Sequence, residues 1–429
     1  MTGQESESLL EYEVANPSRT EPMLHVLVLD EELPYPPDSG KRIRTWNLLK
    51  ELAPRHQVTY LCYADRNCAA QHVLRQAGIQ VVPVAPRHLE TGIWLYLRLL
   101  INCFSSRPFS VGKHDRRRFH RRLARLLQAN QYDLIHCEWT PYAQFAFGAG
   151  TSVPRSLPVV IATHNIEAEI LRRRAEQQTN APARKYFQLQ AARMERFERS
   201  VFARAQSVIV VSENDRKLAL SWGARHTWLV ANGVPSDFCR DSLPDRRDAS
   251  KDLLFLGSLD WFPNVDAIRF FLADIFPLVR MQDRDVTLSI VGRRPDVALR
   301  KLIDSVDGAT LVGEVPDVRP HLCRAAAVIV PLRIGGGTRI KILEAMAAGK
   351  IVVSTSIGAE GLEVDHDVHL LIADSPAEFA AAIQRALDPH QLAAIPDLAR
   401  NRVLESYTWT AQAKELEKAW LKSVSFRPN

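Results

Sequence analysis

Pro331–Gly361, PLRIGGGTRIKILEAMAAGKIVVSTSIGAEG, is the stretch on which the fold turns. It follows an apolar run, Ala325–Val330 (AAAVIV), with the length and β-branched content of a buried strand. Gly335, Gly336 and Gly337 come next, then Thr338 as the expected N-cap. A helix-favouring segment from Arg339 to Ala348 stops at Gly349, and Ile351–Val353 resumes as strand. Strand, glycine loop, helix and strand together form the repeating unit of a parallel α/β sheet. The glycines let backbone N–H groups approach an anion at the positive end of a helix. Arg333, Arg339 and Lys341 add charge beside that spot. Glu344, further along the helix, could accept from the two vicinal hydroxyls of a ribose. A glycine turn followed by a solvated glutamate would account for the same residues.

The run Ile340–Leu362, IKILEAMAAGKIVVSTSIGAEGL, resembles the donor-site signature of the GT-B glycosyltransferases, specifically the large retaining family 4 group. The resemblance implies that Glu344 binds the ribose of a nucleotide sugar and that the loop Gly335 to Thr338 cradles the diphosphate and sugar. Many relatives carry Glu at both ends of an E-x7-E pattern, and the first position here is Gly336. In the family, the loop after the second domain's first strand supplies an Arg and a Lys to the diphosphate. Ser258 and Pro263 stand at those places here, so Arg333, Arg339 and Lys341 are the expected substitutes, with Arg293 at the end of the next strand.

Upstream, strand-like runs alternate with helical ones. Leu24–Leu29 (LHVLVL), Val58–Cys62, Gln80–Val84, Tyr132–His136, Val159–Thr163, Ser207–Ser212 and Trp228–Val230 read as strands of a parallel sheet. Between the first strand and a helix ending at Leu52, Gly40 with Lys41, Arg42 and Arg44 forms a second turn suited to anions, or a plain N-cap loop. The segment SGKRIRTWNLLKEL is similar to a bacterial polysaccharide-assembly subset of the family, and the resemblance puts Gly40 and Arg42 on the acceptor side. His164 follows a strand's C-terminal end, where open α/β sheets bind ligands. A lone His there is more often structural. The similarity of THNIE to a family 4 motif implies that His164 contacts the donor sugar, with Glu167 orienting it or facing the acceptor.

The whole chain points to the same class. With 429 residues, two domains are expected. These are an N-terminal acceptor-side domain (23–241), a polar linker (242–251), a nucleotide-sugar domain (252–408) and a last helix (409–429) crossing back to the first domain, after a disordered tail (1–22). The expected fold is therefore α/β, of GT-B type, with two Rossmann-like doubly wound domains facing a central cleft. The net charge of +6 suits anionic partners, with six arginines between Arg116 and Arg125. The apolar segment Ile93–Phe104 beside that cluster suits either an interfacial helix on an anionic membrane surface or a core helix with a solvated face.

The N-terminus has no basic region followed by an apolar one, and no run is long enough to span a bilayer, so a cytoplasmic location is expected, peripheral on the inner face of the membrane. Six scattered cysteines show no metal-ligand spacing and no carboxylate pair of DxD type stands at a strand end, so neither metal nor cofactor is expected. The absence of an aromatic-interleaved basic stripe argues against nucleic acid as a partner. The expected function is metal-independent, retaining transfer of a sugar from a nucleoside diphosphate to a saccharide or lipid-linked acceptor. The competing readings are an epimerase or phosphorylase on the same architecture, and a non-catalytic nucleotide-sugar-binding or membrane-associated scaffold. A dinucleotide oxidoreductase lacks its GxGxxG after the first strand.

Overall fold

The computed structural model describes residues 22–65, 68–85, 93–114, 117–238, 251–335, 338–388 and 391–426. Among the described residues, thirteen strands form two all-parallel sheets. The first sheet holds β1 (His25–Leu29), β2 (Gln57–Tyr63), β3 (Ile79–Val84), β4 (Leu134–Cys137), β5 (Val159–Ala162), β6 (Ser207–Val210) and β7 (Thr227–Leu229), in the order β3-β2-β1-β4-β5-β6-β7. The second holds β8 (Asp252–Leu256), β9 (Thr287–Val291), β10 (Ala309–Gly313), β11 (Ala327–Val330), β12 (Ile351–Ser354) and β13 (Leu371–Ile372), in the order β10-β9-β8-β11-β12-β13. This is the two-domain, doubly wound α/β architecture expected from the strand runs.

Helices cover both faces, so the strands bury both of theirs. Along β1, Val26 and Val28 enter one cluster, with Tyr60, Leu48 and Leu52, while Leu27 and Leu29 enter another, with Ile135, Phe119 and Phe145. Alternating burial on both sides is why these strands read as continuous apolar runs.

Each sheet reverses its order once, between β1 and β4 and between β8 and β11. Crevices open beyond the carboxyl ends of strands at such reversals, and Gly40, Glu138 and the loop at Gly335 follow β1, β4 and β11 at those ends, with His164 one strand away on β5.

The last helix, Trp409–Ser425, returns to the first domain, where Trp409, Leu416 and Trp420 join the Val26 cluster. The chain crosses between domains beside itself here. The amide of Val234 donates to Tyr407 O (2.8 Å) and that of Trp409 to Val234 O (3.0 Å). The expected tail (1–22) and linker (242–251) fall almost wholly outside the described residues. Cys62 and Cys137 are buried free thiols, and Cys68, Cys103 and Cys323 are partly covered. No described helix is long and apolar enough to cross a membrane.

Candidate active site

On the second-domain side, β11 leads through a loop to the helix Ile340–Ala347, one residue shorter at each end than expected. Gly336 and Gly337 lie outside the described residues. Thr338 is not the N-cap. That position belongs to Arg339, whose side chain makes no capping bond. Thr338 is turned instead to the first domain, where Oγ1 accepts from Asn232 N (3.3 Å) and its carbonyl from Asn232 Nδ2 (2.9 Å). A tertiary contact has replaced a local one, and the N-cap side chain leaves the helix start uncapped.

Lys341 and Glu344 lie on this helix, both largely withdrawn from water. Lys341 Nζ donates to Asn264 Oδ1 (2.9 Å) and sits 4.4 Å from the Phe255 ring centre. A Cβ on Gly257 would stand 2.8 Å from that Nζ, so the glycine makes room for it. Burial, with help from Arg339, pushes the Lys341 ammonium down to about 7. Burial also pushes the Glu344 carboxyl up to about 7, Lys341 opposing and Asp317 adding.

The neighbouring cations divide. Arg333 is held by Asp266 through two hydrogen bonds (2.7 and 3.0 Å) and stacks on Phe270, so it does not stand ready as the expected phosphate substitute. Arg293 donates to Ser258 Oγ (3.1 Å) and pairs across the cleft with Asp38 (2.6 Å). Arg339 lies against Gly335, where an added Cβ would meet its Nη2 at 2.1 Å. Burial draws this guanidinium down to about 10, against the pull of Glu360 and Asp215.

On the first-domain side, Ser39 caps the helix Gly40–Leu52. The anion-binding turn expected at Gly40 is already supplied with counter-charge. Lys41 pairs with Asp30 (2.6 Å) and Glu31 (3.0 Å), Arg42 with Glu32 and Asp38, and Arg44 donates to the carbonyls of Val230 and Ala231. Gly40 nevertheless faces the helix Ile340–Ala347 directly, since a Cβ there would touch Ile340 Cδ1 at 4.0 Å. The starts of two helices therefore meet across the cleft.

His164, just beyond β5, has a buried Nε2 with no hydrogen-bond partner among the described residues. Burial lowers its pKa to about 3, so the ring is neutral. Glu138, at the end of β4, is the functional candidate that sequence reasoning missed. Its Oε1 accepts from Thr45 Oγ1 (2.8 Å) and lies 3.6 Å from His164 Nε2, while Oε2 meets His136 Nε2 at 2.7 Å. Burial alone would raise its pKa, but the His136 bond and nearby positive charge hold it at about 2. Glu167 is not the group beside His164. It accepts from Trp139 Nε1 (2.8 Å), and burial raises its pKa. A strand-end carboxylate was the available signal for Glu138.

A further arginine spans the domains. Arg173, on the first-domain helix Glu167–Glu176, donates to both carboxylate oxygens of Glu360 (2.6 and 2.9 Å) and to the carbonyl of Gly335. Its neighbour Arg174 stacks between Phe187 and Phe262. The structure thus brings Gly40, Thr338, Arg339 and Gly335 to one seam, with Arg42 and Arg293 joined through Asp38. The described contacts of His164 and Glu167 are all within the first domain. Among the described residues, no group of three or more His, Cys, Asp or Glu is arranged to hold a metal ion.

Residues 39–233 match a family model described as glycosyl transferase 4-like domain, and residues 250–389 one described as glycosyl transferases group 1. Over 139 residues the chain is 31% identical to an "uncharacterized 44.6 kDa protein in cps region" of Klebsiella pneumoniae. That match covers 31% of this chain and spans 36% of the relative's length. The fold is similar to that of Anabaena HepE in complex with UDP-glucose (TM-score 0.63, 16% identity, 92% of this chain and 99% of that one). It is also similar to sucrose-phosphate synthase from Thermosynechococcus elongatus (TM-score 0.68, 18% identity, 93% and 98%). By its two domain matches and its fold, the chain belongs to the GT-B glycosyltransferases.

Proposed function

We propose that the protein is a retaining, family 4-type hexosyltransferase that works without metal, moving a sugar from a nucleoside diphosphate to a saccharide or lipid-linked acceptor. The observation that carries this reading is the uncapped start of the helix Ile340–Ala347, with Lys341 and Glu344 held out of water beside it and the helix start at Gly40 opposite. A departing diphosphate needs about two negative charges stabilised in a partly dry cleft. The amides at the helix start, Lys341 and Arg339 meet that demand, and Arg293 can join them by exchanging Asp38 for phosphate. Glu344 takes the ribose hydroxyls, and Gly335 to Thr338 lie along the diphosphate. The imidazole of His164, at the cleft end of β5, contacts the transferred sugar. The acceptor lies on the first-domain side, near Gly40, Arg42 and Glu167. HepE binds UDP-glucose on the same fold, which favours a nucleotide-sugar donor here.

An exposed apolar row favours a lipid-linked acceptor at an anionic membrane surface. Leu97, Leu100, Ile101 and Phe104 are 46, 62, 62 and 94% exposed at spacings of one helix face. Arg117, Arg118, Arg121, Arg122 and Arg125 are exposed on the helix Arg117–Ala129, close by in the chain.

The test is a thermal-shift panel of UDP-, GDP-, ADP- and dTDP-sugars with a chelator present. A donor at a hundredfold excess over its Kd stabilises by about 2.7 kcal/mol. A shift with one nucleotide class, lost in Glu344→Ala, supports the donor site, and NMR of the product's anomeric proton then tests retention. No shift with any donor would favour the scaffold reading, and a shift that requires divalent cation would refute metal independence.

A further inference from the structure

The cleft end of β4 is connected through three buried side chains to the last helix of the chain. Trp420, His136 and Glu138 are 0, 1 and 3% exposed. Trp420 Nε1 lies 3.1 Å from His136 Nδ1. An indole nitrogen can only donate, so His136 Nδ1 accepts, and the ring's proton is fixed on Nε2. That Nε2 donates in turn to Glu138 Oε2 at 2.7 Å. The other oxygen, steadied by Thr45 Oγ1 at 2.8 Å, faces His164 Nε2 at 3.6 Å. Arg44 and Lys41 are the other charges near this group, and both are held by their own partners.

We propose that Trp420 is a positioning residue for sugar transfer: by fixing the tautomer of His136 it holds the Glu138 carboxylate in place, and Glu138 holds the imidazole of His164 towards the cleft. This rests on the reading of His164 as a sugar-contacting group. Without the indole N–H, His136 can carry its proton on Nδ1 instead, presenting a lone pair to the Glu138 oxygen. The carboxylate then turns away and His164 loses its support. A tryptophan 256 residues later in the chain than His164 would in this way act on the reacting end of the donor.

The experiment compares wild type with Trp420→Phe, which keeps an aromatic ring and removes only the donor. In ¹⁵N-histidine NMR, wild-type His136 should show one fixed tautomer, protonated on Nε2, and Trp420→Phe should show mixed tautomers with a displaced His164 resonance. In transfer assays kcat should fall about tenfold, the worth of one hydrogen bond, while donor KM stays within about twofold. His136→Gln retains an N–H for Glu138 but has no tautomers, so in that background Trp420→Phe should have little further effect on kcat. A Nδ1-protonated or averaged His136 in wild type overturns the proposal, and so do effects that simply multiply in the double variant. If wild type transfers no sugar from any donor, the assigned function fails by itself. The histidine resonances still decide the relay, because a Trp420→Phe protein with an unmoved His164 signal overturns it without reference to activity.

Discussion

Replacing Lys341 with Met should stabilise the ligand-free protein while weakening donor binding. Among the described residues no carboxylate lies within ion-pair distance of the Lys341 ammonium, and burial takes it from 10.5 to about 7. At 1.36 kcal/mol per pH unit, charging this group in the folded protein costs about 5 kcal/mol more than in the unfolded chain. The cost is complete below about pH 7, where both states are protonated, declines as pH rises, and is gone above about 10.5. At pH 7 roughly 4 kcal/mol of it remains. Methionine removes the charge but loses the bond to Asn264 and the contact with Phe255, together worth about 1–2 kcal/mol. The net expectation is a gain of about 2–3 kcal/mol in urea-unfolding free energy at pH 7, vanishing by about pH 10. A diphosphate supplies the missing counter-charge, so the same variant should bind donor about 10- to 150-fold more weakly by calorimetry. A Lys341→Met protein that is less stable than wild type at pH 7 would refute the reasoning, since the lysine would then be a structural partner.

Other expectations follow from single contacts. Arg173→Met and Glu360→Gln should each loosen the contact between the domains, seen as a larger radius of gyration by X-ray scattering, with a coupling of about 1–3 kcal/mol between them in a double-mutant cycle. Trp420→Ala should cost about 3–5 kcal/mol of stability in urea, because its side chain is fully enclosed in the first domain's core. Gly292→Ala would place a Cβ 2.0 Å from the carbonyl of Gly257, so it should lower soluble yield and melting temperature sharply. Leu100→Asp with Phe104→Asp should abolish sedimentation with anionic vesicles and leave melting temperature unchanged, both side chains being mostly exposed.

The sheets were readable because parallel strands buried on both faces are written as short apolar runs, and β5 and β6 are little else. The helix that carries Lys341 and Glu344 was readable from its glycine stop, since Gly349 takes a φ of +65°. What escaped depended on partners far away in the chain. Glu138 has no visible role beside Cys137 and Trp139, and its supports come from Thr45, 93 residues earlier, and from Trp420 through His136. Thr338 obeyed a local capping rule in sequence and a contact with Asn232 in three dimensions. Arg333 reads in sequence as a phosphate ligand, but Asp266 holds it. The neutralised turn at Gly40 was legible in principle, because Asp30, Glu31, Glu32 and Asp38 stand within ten residues of Gly40.

The return of the helix Trp409–Ser425 to the first domain also sets an order of events during synthesis. The seven described strands of that domain have all been translated once residue 229 is added, yet the groove that receives Trp409, Leu416 and Trp420 stays empty until those residues follow. At about 5–20 residues per second that interval is roughly 10–40 s. The second domain, encoded later, has its own core and can be complete first. The domain translated first is therefore finished last, and a chain broken anywhere before residue 409 leaves it with an open hydrophobic groove for chaperones or aggregation to find.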